Sequence, residues 1–280
     1  MLDPIRLRRC YRIRVRITFL VNLDLYSNYA LNLLLPALSQ QHELIVFYSS
    51  GVGTPPQEEA LQQLRFFEQT LPVEILFPVI DRLAQSGPLR TFNGLSPYLA
   101  TSPMALEEPN SEKGLSELVQ ANPDLIISIR YGRILKREAI DIPSLGVLNL
   151  HSGKLPDYRG VMATFRAMMA GDHALSTTLH WIDDNTIDTG RIIRITSRDR
   201  DEERCYLRAV VGLYEWACPD LLTTVEEIAR GDLPDAKAAT ELGEYYSYPT
   251  SDELTAFTEA GLKWVDARWV TNFLRRYQPT

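Results

Sequence analysis

The segment Gly146-Val147-Leu148-Asn149-Leu150-His151-Ser152-Gly153 sets an amide and an imidazole two residues apart inside an apolar run. In a strand, residues at that spacing project from one face, so Asn149 and His151 share a side of whatever sheet contains them. Burying them without partners is costly, which implies either internal hydrogen bonds or a ligand. The run enters a loop rich in Gly and Pro, and in an open α/β sheet that is the carboxyl edge where ligands bind. A second segment, Ser176-Thr177-Thr178-Leu179-His180-Trp181-Ile182, alternates like a strand and enters the turn Asp183-Asp184-Asn185-Thr186-Ile187-Asp188-Thr189-Gly190. Asp and Gly are ordinary turn formers, so taken alone these carboxylates read first as solvated turn residues.

Taken in order, Asn149, His151, Leu155-Pro156, Tyr158-Arg159-Gly160 and Asp188-Thr189-Gly190 resemble the signature of the 10-formyltetrahydrofolate-dependent formyltransferases. The resemblance covers residues 123–193 well and the first hundred residues in pattern only. It implies Asn149, His151 and Asp188 as the catalytic constellation and 10-formyltetrahydrofolate as formyl donor. Tyr131-Gly132-Arg133-Ile134-Leu135 is similar to the family's pteridine-wrapping segment, and Asn185, Thr186 and Ile187 join it on the donor side. His180 matches a histidine that family members often place near the folate, although a lone strand histidine is also a common structural residue.

These residue types suit the implied reaction. An amine attacking a formyl carbon generates an oxyanion, which an imidazolium and an amide N–H stabilise. Losing one such donor costs about 3 to 4 kcal/mol in a comparable hydrolase. A neighbouring carboxylate favours the charged form of a histidine and orders a water that carries the amine's proton to the leaving nitrogen. Lys154, Tyr158 and Arg159 are expected at the acceptor, with Lys154 meeting a substrate anion and Arg159 either contacting an anion or organising its loop.

Departures from the family narrow the acceptor. Ser152-Gly153-Lys154 replaces the common His-x-Ser-Leu-Leu-Pro continuation. The turn after the first strand, Asn22-Leu23-Asp24-Leu25-Tyr26-Ser27-Asn28, lacks the glycines of a phosphate cradle such as glycinamide ribonucleotide enzymes carry. Residues 201–280 are acidic in balance, unlike the basic β-barrel of methionyl-tRNA formyltransferases, and no room precedes the first strand for the regulatory domain of the formyltetrahydrofolate hydrolases. The expectation is a small-molecule amine, first an amino-sugar nucleotide, second an amino-acid-derived amine or hydroxylamine of the siderophore type. A non-catalytic folate-binding α/β module is the alternative of another class. An NAD-binding domain is disfavoured because no G-x-G-x-x-G follows the first strand.

The elements that must position these residues follow from periodicity. Ile13 to Val21 passes from alternation to a continuous apolar run, as a strand with one buried end does; Tyr29 to Leu38 is helical and Glu43 to Tyr48 strand-like. Glu58 to Thr70 has helical period, Val73 to Phe77 reads as a strand, Gly114 to Ala121 as a helix and Asp124 to Ile129 as a buried parallel strand. Residues 86–113 read as an excursion loop with at most a short helix. Glu202 to Arg230 is helical and ends at Gly231-Asp232-Leu233-Pro234. Strands alternating with helices imply a Rossmann-like, doubly wound, mostly parallel α/β sheet with helices on both faces and a small C-terminal extension. The expected division is an N-terminal extension over 1–12, disordered or peripheral, a catalytic domain over 13–200, and a helical and extended subdomain over 201–280.

Across 280 residues, 45% hydrophobic and 23% charged, a net charge of -7 argues against the nucleic-acid backbone as main partner. No apolar run reaches the length of a membrane span. Cys10, Cys205 and Cys218 match neither a disulfide framework nor a zinc site, so no metal is expected and a cytoplasmic location is. Arginines at 6, 8, 9, 12, 14 and 16 are not followed by the features of a secretion signal. His42 and His173 read as surface residues and Trp181 as packing. Tyr245, Tyr246 and Tyr248 suit either a homodimer interface or stacking on a nucleobase.

Overall fold

The computed structural model describes residues 14–51, 57–83, 87–201 and 203–278. The expected extension over 1–12 lies outside them; of the N-terminal arginines, Arg14 pairs with Glu43 and Arg16 with Asp124.

The first unit is β1 (Arg16–Asn22), α1 (Leu25–Leu38) and β2 (Glu43–Ser49). Asp24 starts the helix four residues earlier than its apolar period suggests, because its carboxylate accepts from the Ser27 N–H at 2.7 Å, a cap worth about 1 kcal/mol. Next come α2 (Glu59–Arg65), a π-helical stretch (Phe66–Leu76) and α3 (Phe77–Ile80). Val73 to Phe77, expected as a strand, is therefore helical. A short apolar run does not distinguish strand from helix, and here burial recurs at Pro72, Phe77 and Ile80 rather than at alternate residues. The excursion holds a 3₁₀ turn (Asn93–Tyr98) and a two-residue strand, β3 (Met104–Ala105).

The chain continues through α4 (Glu112–Ala121), β4 (Leu125–Ile129), α5 (Arg137–Ile140), β5 (Val147–His151), β6 (Arg159–Gly160), α6 (Ala163–Met169), β7 (Ala174–Trp181), β8 (Ile192–Asp199) and α7 (Tyr206–Ala229). It ends with β9 (Tyr245–Tyr246), α8 (Ser251–Glu259) and α9 (Ala267–Leu274). Seven strands form one sheet in the order β3-β2-β1-β4-β5-β7-β8, parallel from β3 to β5 and antiparallel across β5–β7 and β7–β8. A second, two-stranded sheet pairs β6 with β9.

The two-residue period of the strands divides the core. Ile17, Phe19 and Val21 of β1, with Leu125, Ile127, Leu148 and Leu150, join the helix side chains of α1 and α7. Leu20, Ile126 and Val147 point the other way, to Leu118 of α4 and Ala139 and Ile140 of α5. Helices thus cover both faces, as the alternation of elements implies. Residues from β1 to Tyr277 share the first cluster, so α7 and the tail complete the core that begins with β1.

His42 is buried, not superficial. Its Nδ1 accepts from the Val15 N–H at 3.3 Å, and its Nε2 lies 3.7 Å from Glu226. Among the described residues no helix is long and apolar enough to cross a membrane.

The tail is fastened by aromatic packing. Trp264 stacks on Phe257 at 4.2 Å and Phe165 at 5.5 Å between ring centroids, with Tyr206 edge-on at 5.9 Å. Trp264→Ala should lower stability by about 3 to 5 kcal/mol. Urea denaturation followed by circular dichroism measures this as a lower midpoint at unchanged slope. A second, separate transition for the tail would show that it is not part of the same core.

Candidate functional site

Register across three strands builds the centre. Asn149 on β5 lies opposite Ser128 on β4 and His180 on β7, while His151 lies opposite Thr178. All stand at the carboxyl ends of β4 and β5, on the parity of Val147. Asn149 Nδ2 is 3.0 Å from His180 Nε2 and 3.4 Å from Asp188 Oδ1. His180 Nδ1 is 2.8 Å from the Trp181 carbonyl, so it carries a proton and donates, while Nε2 faces both the Asn149 amide and Asp188. His180 Nε2 and His151 Nδ1 each lie 3.5 Å from an Asp188 oxygen. His151 Nε2 is 2.8 Å from the Tyr158 carbonyl. Both nitrogens of His151 therefore face oxygen, and only the doubly protonated ring can donate to both.

Asp188 arrives from the loop between β7 and β8 in the left-handed conformation, φ 55. Its side chain is 8% exposed, and its Oδ2 accepts from the Gly160 N–H at 2.8 Å. Burial alone would push this carboxyl up. The charge of His151, the hydrogen bond and charge of His180, and the Gly160 N–H outweigh it and hold the group at about 2. Gly160 itself has φ 93, and a Cβ there would stand 2.3 Å from the Tyr246 carbonyl oxygen. A glycine is thus what lets β6 lie against β9 while offering its N–H to Asp188.

Thr178 latches the loop after β5: its Oγ1 donates to the Gly153 carbonyl at 2.7 Å and accepts from the Leu155 N–H at 3.0 Å. A Cβ on Gly153 would meet Ala163 at 2.4 Å and His151 Nε2 at 2.7 Å, which accounts for a glycine where the family's common form has another residue.

The three side chains expected at the acceptor do not line the cavity. Lys154 is spent on Asp157 at 2.8 Å, on a half-exposed surface. Tyr158 donates its hydroxyl to Asp172 at 2.9 Å. Arg159 donates to the Ile187 carbonyl from Nε at 3.2 Å and Nη2 at 3.0 Å, and to the Gly243 carbonyl from Nη1 at 3.1 Å. Arg159 is thus a loop organiser that fixes the residue next to Asp188. His173 is exposed and Trp181 is buried beside the site.

A cavity of about 330 Å³ opens over the sheet edge, within the usual range for small-molecule sites. On one side of the centre it is lined by Tyr131 to Leu135 and by Ile182 and Asn185 to Ile187. Arg133 lines this wall and also holds it in place. Its Nη2 is 2.6 Å from Glu107, and it also donates to the carbonyls of Glu107 and Gly51 at 2.9 and 2.8 Å. Tyr131 Oη is likewise taken by the Leu106 carbonyl at 2.6 Å. Apolar contact and backbone groups therefore dominate what this wall presents.

The other side holds residues that motif reading does not reach: Asn22, Arg65, Glu68, Gln69, Arg130 and Tyr206, with Tyr245 and Tyr248 from the tail. Arg130 donates from Nε to Asp24 at 2.9 Å. Burial pushes Glu68 up to about 7, against the lowering charge of Arg130 and with the help of Asp24. Nothing in the sequence places Asp24, Glu68 and Arg65 beside one another. No group of three or more His, Cys, Asp or Glu among the described residues is arranged to hold a metal ion.

Residues 45–201 match the family model described as formyl transferase. The methionyl-tRNA formyltransferase of Fusobacterium nucleatum subsp. nucleatum is 25% identical over 208 residues, covering 73% of this chain and 65% of that protein. That of Methylacidiphilum infernorum is 38% identical over 144 residues, covering 50% of this chain and 43% of that protein. The chain thus spans less than two thirds of the length of the curated relatives it matches. In fold it is similar to the N-formyltransferase of Helicobacter canadensis, solved with folinic acid and dTDP-3-aminofucose, with a TM-score of 0.54 at 15% identity over 90% of this chain and 84% of that one. With more than half of its residues matched by the family model, this chain belongs to the formyl transferase family.

Proposed function

We propose that this protein transfers a formyl group from 10-formyltetrahydrofolate to the amine of a small-molecule acceptor, with Asn149, His151 and Asp188 as its catalytic residues. The observation that carries the reading is the Asp188 carboxylate, buried yet ionised at about 2, within 3.5 Å of an Asn149 nitrogen and of a nitrogen of each histidine at the centre of the cavity.

The residues present fit a folate donor. The wall from Tyr131 to Leu135 and the loop carrying Asn185, Thr186 and Ile187 combine apolar residues with polar ones, which suits a flat heterocycle with polar edges. The donor supplies the formyl carbon. His180, fixed by the Trp181 carbonyl, holds the Asn149 amide in one orientation. As the amine adds, Asn149 releases its long 3.4 Å contact with Asp188 and His151 its bond to the Tyr158 carbonyl, and those N–H groups donate to the negative charge that develops on the formyl oxygen. Asp188 favours the charged imidazole and accepts, through water, the proton that the amine must lose before the bond to the folate nitrogen breaks. The new C–N bond forms as the amine adds, the bond to the folate nitrogen breaks afterwards, and the proton ends on the leaving nitrogen.

For the acceptor, the fold likeness to an enzyme solved with dTDP-3-aminofucose and the tyrosines on the cavity rim support an amino-sugar nucleotide. The test is incubation of the full chain with 10-formyltetrahydrofolate and a panel of amines, with the products read by mass spectrometry. Formylated amine supports the reading; absence of both donor binding and transfer sinks it.

Asn also accepts the left-handed conformation at position 188, so Asp188→Asn should keep the loop. Turnover should fall by about 10²- to 10⁴-fold, with the donor KM within a few-fold of wild type. Near wild-type turnover would remove Asp188 from the reaction. The same pair of proteins reports on linkage. A carboxyl lowered in the folded state stabilises above its ordinary value of 3.8, and that contribution is lost as pH falls through about 2. Wild type should therefore exceed Asp188→Asn in stability at pH 6, and urea titrations at lower pH should show the gap narrowing from about pH 4 downward.

A further inference from the structure

The lobe beyond the reactive centre has its own chemistry. Arg130 follows β4 directly, with φ 59, an uncommon conformation for a long side chain. The turn at this residue, bridged to Val21 on β1, separates two directions. The backbone continues into the Tyr131 to Leu135 wall, while the side chain runs to Asp24 and Tyr26 at the start of α1.

The guanidinium is held on two sides. Nε donates to Asp24, and the group lies over the Tyr26 ring, 4.4 Å from its centroid. Asp24, fully buried, is satisfied without further partners, since it also accepts from Asn22 Nδ2 at 2.8 Å and from the Ser27 N–H. Arg130 is itself only 18% exposed. Burial works against its charge, but Asp24, with Tyr214 and Glu68, outweighs burial and keeps it protonated. A buried ion pair of this kind adds little stability over an apolar pair of the same volume, so its retention calls for another use. Asp24 takes Nε, the Tyr214 hydroxyl lies beside the guanidinium, no carboxylate among the described residues is hydrogen-bonded to the terminal nitrogens, and Arg130 lines the cavity. Arginine has five donors in a planar fork that matches carboxylate and phosphate.

We propose that this lobe is an oxyanion-recognising subsite for the acceptor, in which the free end of Arg130 receives a carboxylate or phosphate carried by the amine and so selects anionic acceptors. This rests on the formyl-transfer reading above. The charge balance of the lobe agrees with it. Arg65 adds a second cation on the facing helical segment, its Nε on Gln69 at 3.2 Å. Asp24 is already neutralised by Arg130. Glu68, close to neutral pH in its titration, carries a proton readily when an anion arrives and does not repel it. Position agrees as well. Ser128, opposite Asn149 in the sheet, is two residues before Arg130, so the anion site and the reactive trio share one edge.

The test uses the full chain saturated with 5-formyltetrahydrofolate. Inorganic pyrophosphate and succinate serve as anion probes, and two matched amine pairs serve as acceptors: glucosamine 6-phosphate against glucosamine, and ornithine against putrescine. Both anion probes, or one of them, should raise the melting temperature of wild type and not that of Arg130→Gln, and which one does so separates phosphate from carboxylate. For any amine pair that is formylated, the anionic member should have the lower KM. Arg130→Gln should raise that KM by about 10- to 100-fold and leave the neutral member and the donor KM unchanged. Arg130→Lys, which keeps the charge beside Asp24 but loses the fork, should retain donor protection and lose most of the anion effect. Equal anion protection of wild type and Arg130→Gln, or none for wild type, overturns the subsite while donor binding leaves the formyl-transfer reading in place. Loss of donor protection in wild type would instead strike that reading.

Discussion

A buried carboxylate that stays ionised needs several donors converging on it, and the donors around Asp188 come from distant parts of the chain. Gly160 supplies a backbone N–H from the small sheet, Asn149 an amide from β5, and His151 and His180 approach from β5 and β7. None of these can move without leaving the charge less compensated in a water-poor setting. The small sheet, the Arg159 brace on Ile187 and the Thr178 latch on the β5 loop all act to keep those donors in place. The geometry of the centre is thus a consequence of electrostatic compensation rather than of any one strong bond.

The cavity exists because the sheet has two faces and one ligand-binding edge. Residues on the parity of Val147 carry the reactive groups, and the turn at Arg130 crosses to the opposite side, where α1 begins. One edge therefore serves two lobes of different character. The first is apolar and made largely of backbone, and its arginine is spent on Glu107. The second is charged, with its guanidinium fixed by Asp24 and its acid near neutrality. The proposed heterocyclic donor would occupy the first and the proposed anionic amine the second.

Much of this was legible in the residues. Strands β1, β4 and β5 are short and largely apolar and β7 alternates, and turn formers bound them, so their existence and their alternation with helices follow from pattern. The convergence of Asn149, His151 and Asp188 was expected from ordered motifs, and the coordinates bring these side chains together. Other features depend on partners that a linear reading does not reveal. Lys154 and Tyr158 are polar residues in a loop beside the site, and only the fold shows that Asp157 and Asp172 absorb them. Val73 to Phe77 has strand-like composition but sits in a helical segment whose burial skips Glu74 and Ile75. His42 has a buried setting because β1 and α7 meet over it. Arg130 gives no local sign of its role, since its left-handed backbone and its pairing with Asp24 are products of tertiary contact.

Glu68 and Gln69 lie in the π-helical stretch from Phe66 to Leu76, where each hydrogen bond spans one residue more than in an α-helix. Deleting a single residue there would turn the side chains that follow by roughly a quarter of a turn around the axis. Residues now on the cavity wall would be carried away from it and others brought in, while β5 and the loop of Asp188 stayed where they are. A change of length in this one segment would therefore reshape that wall and leave the trio at the sheet edge in place.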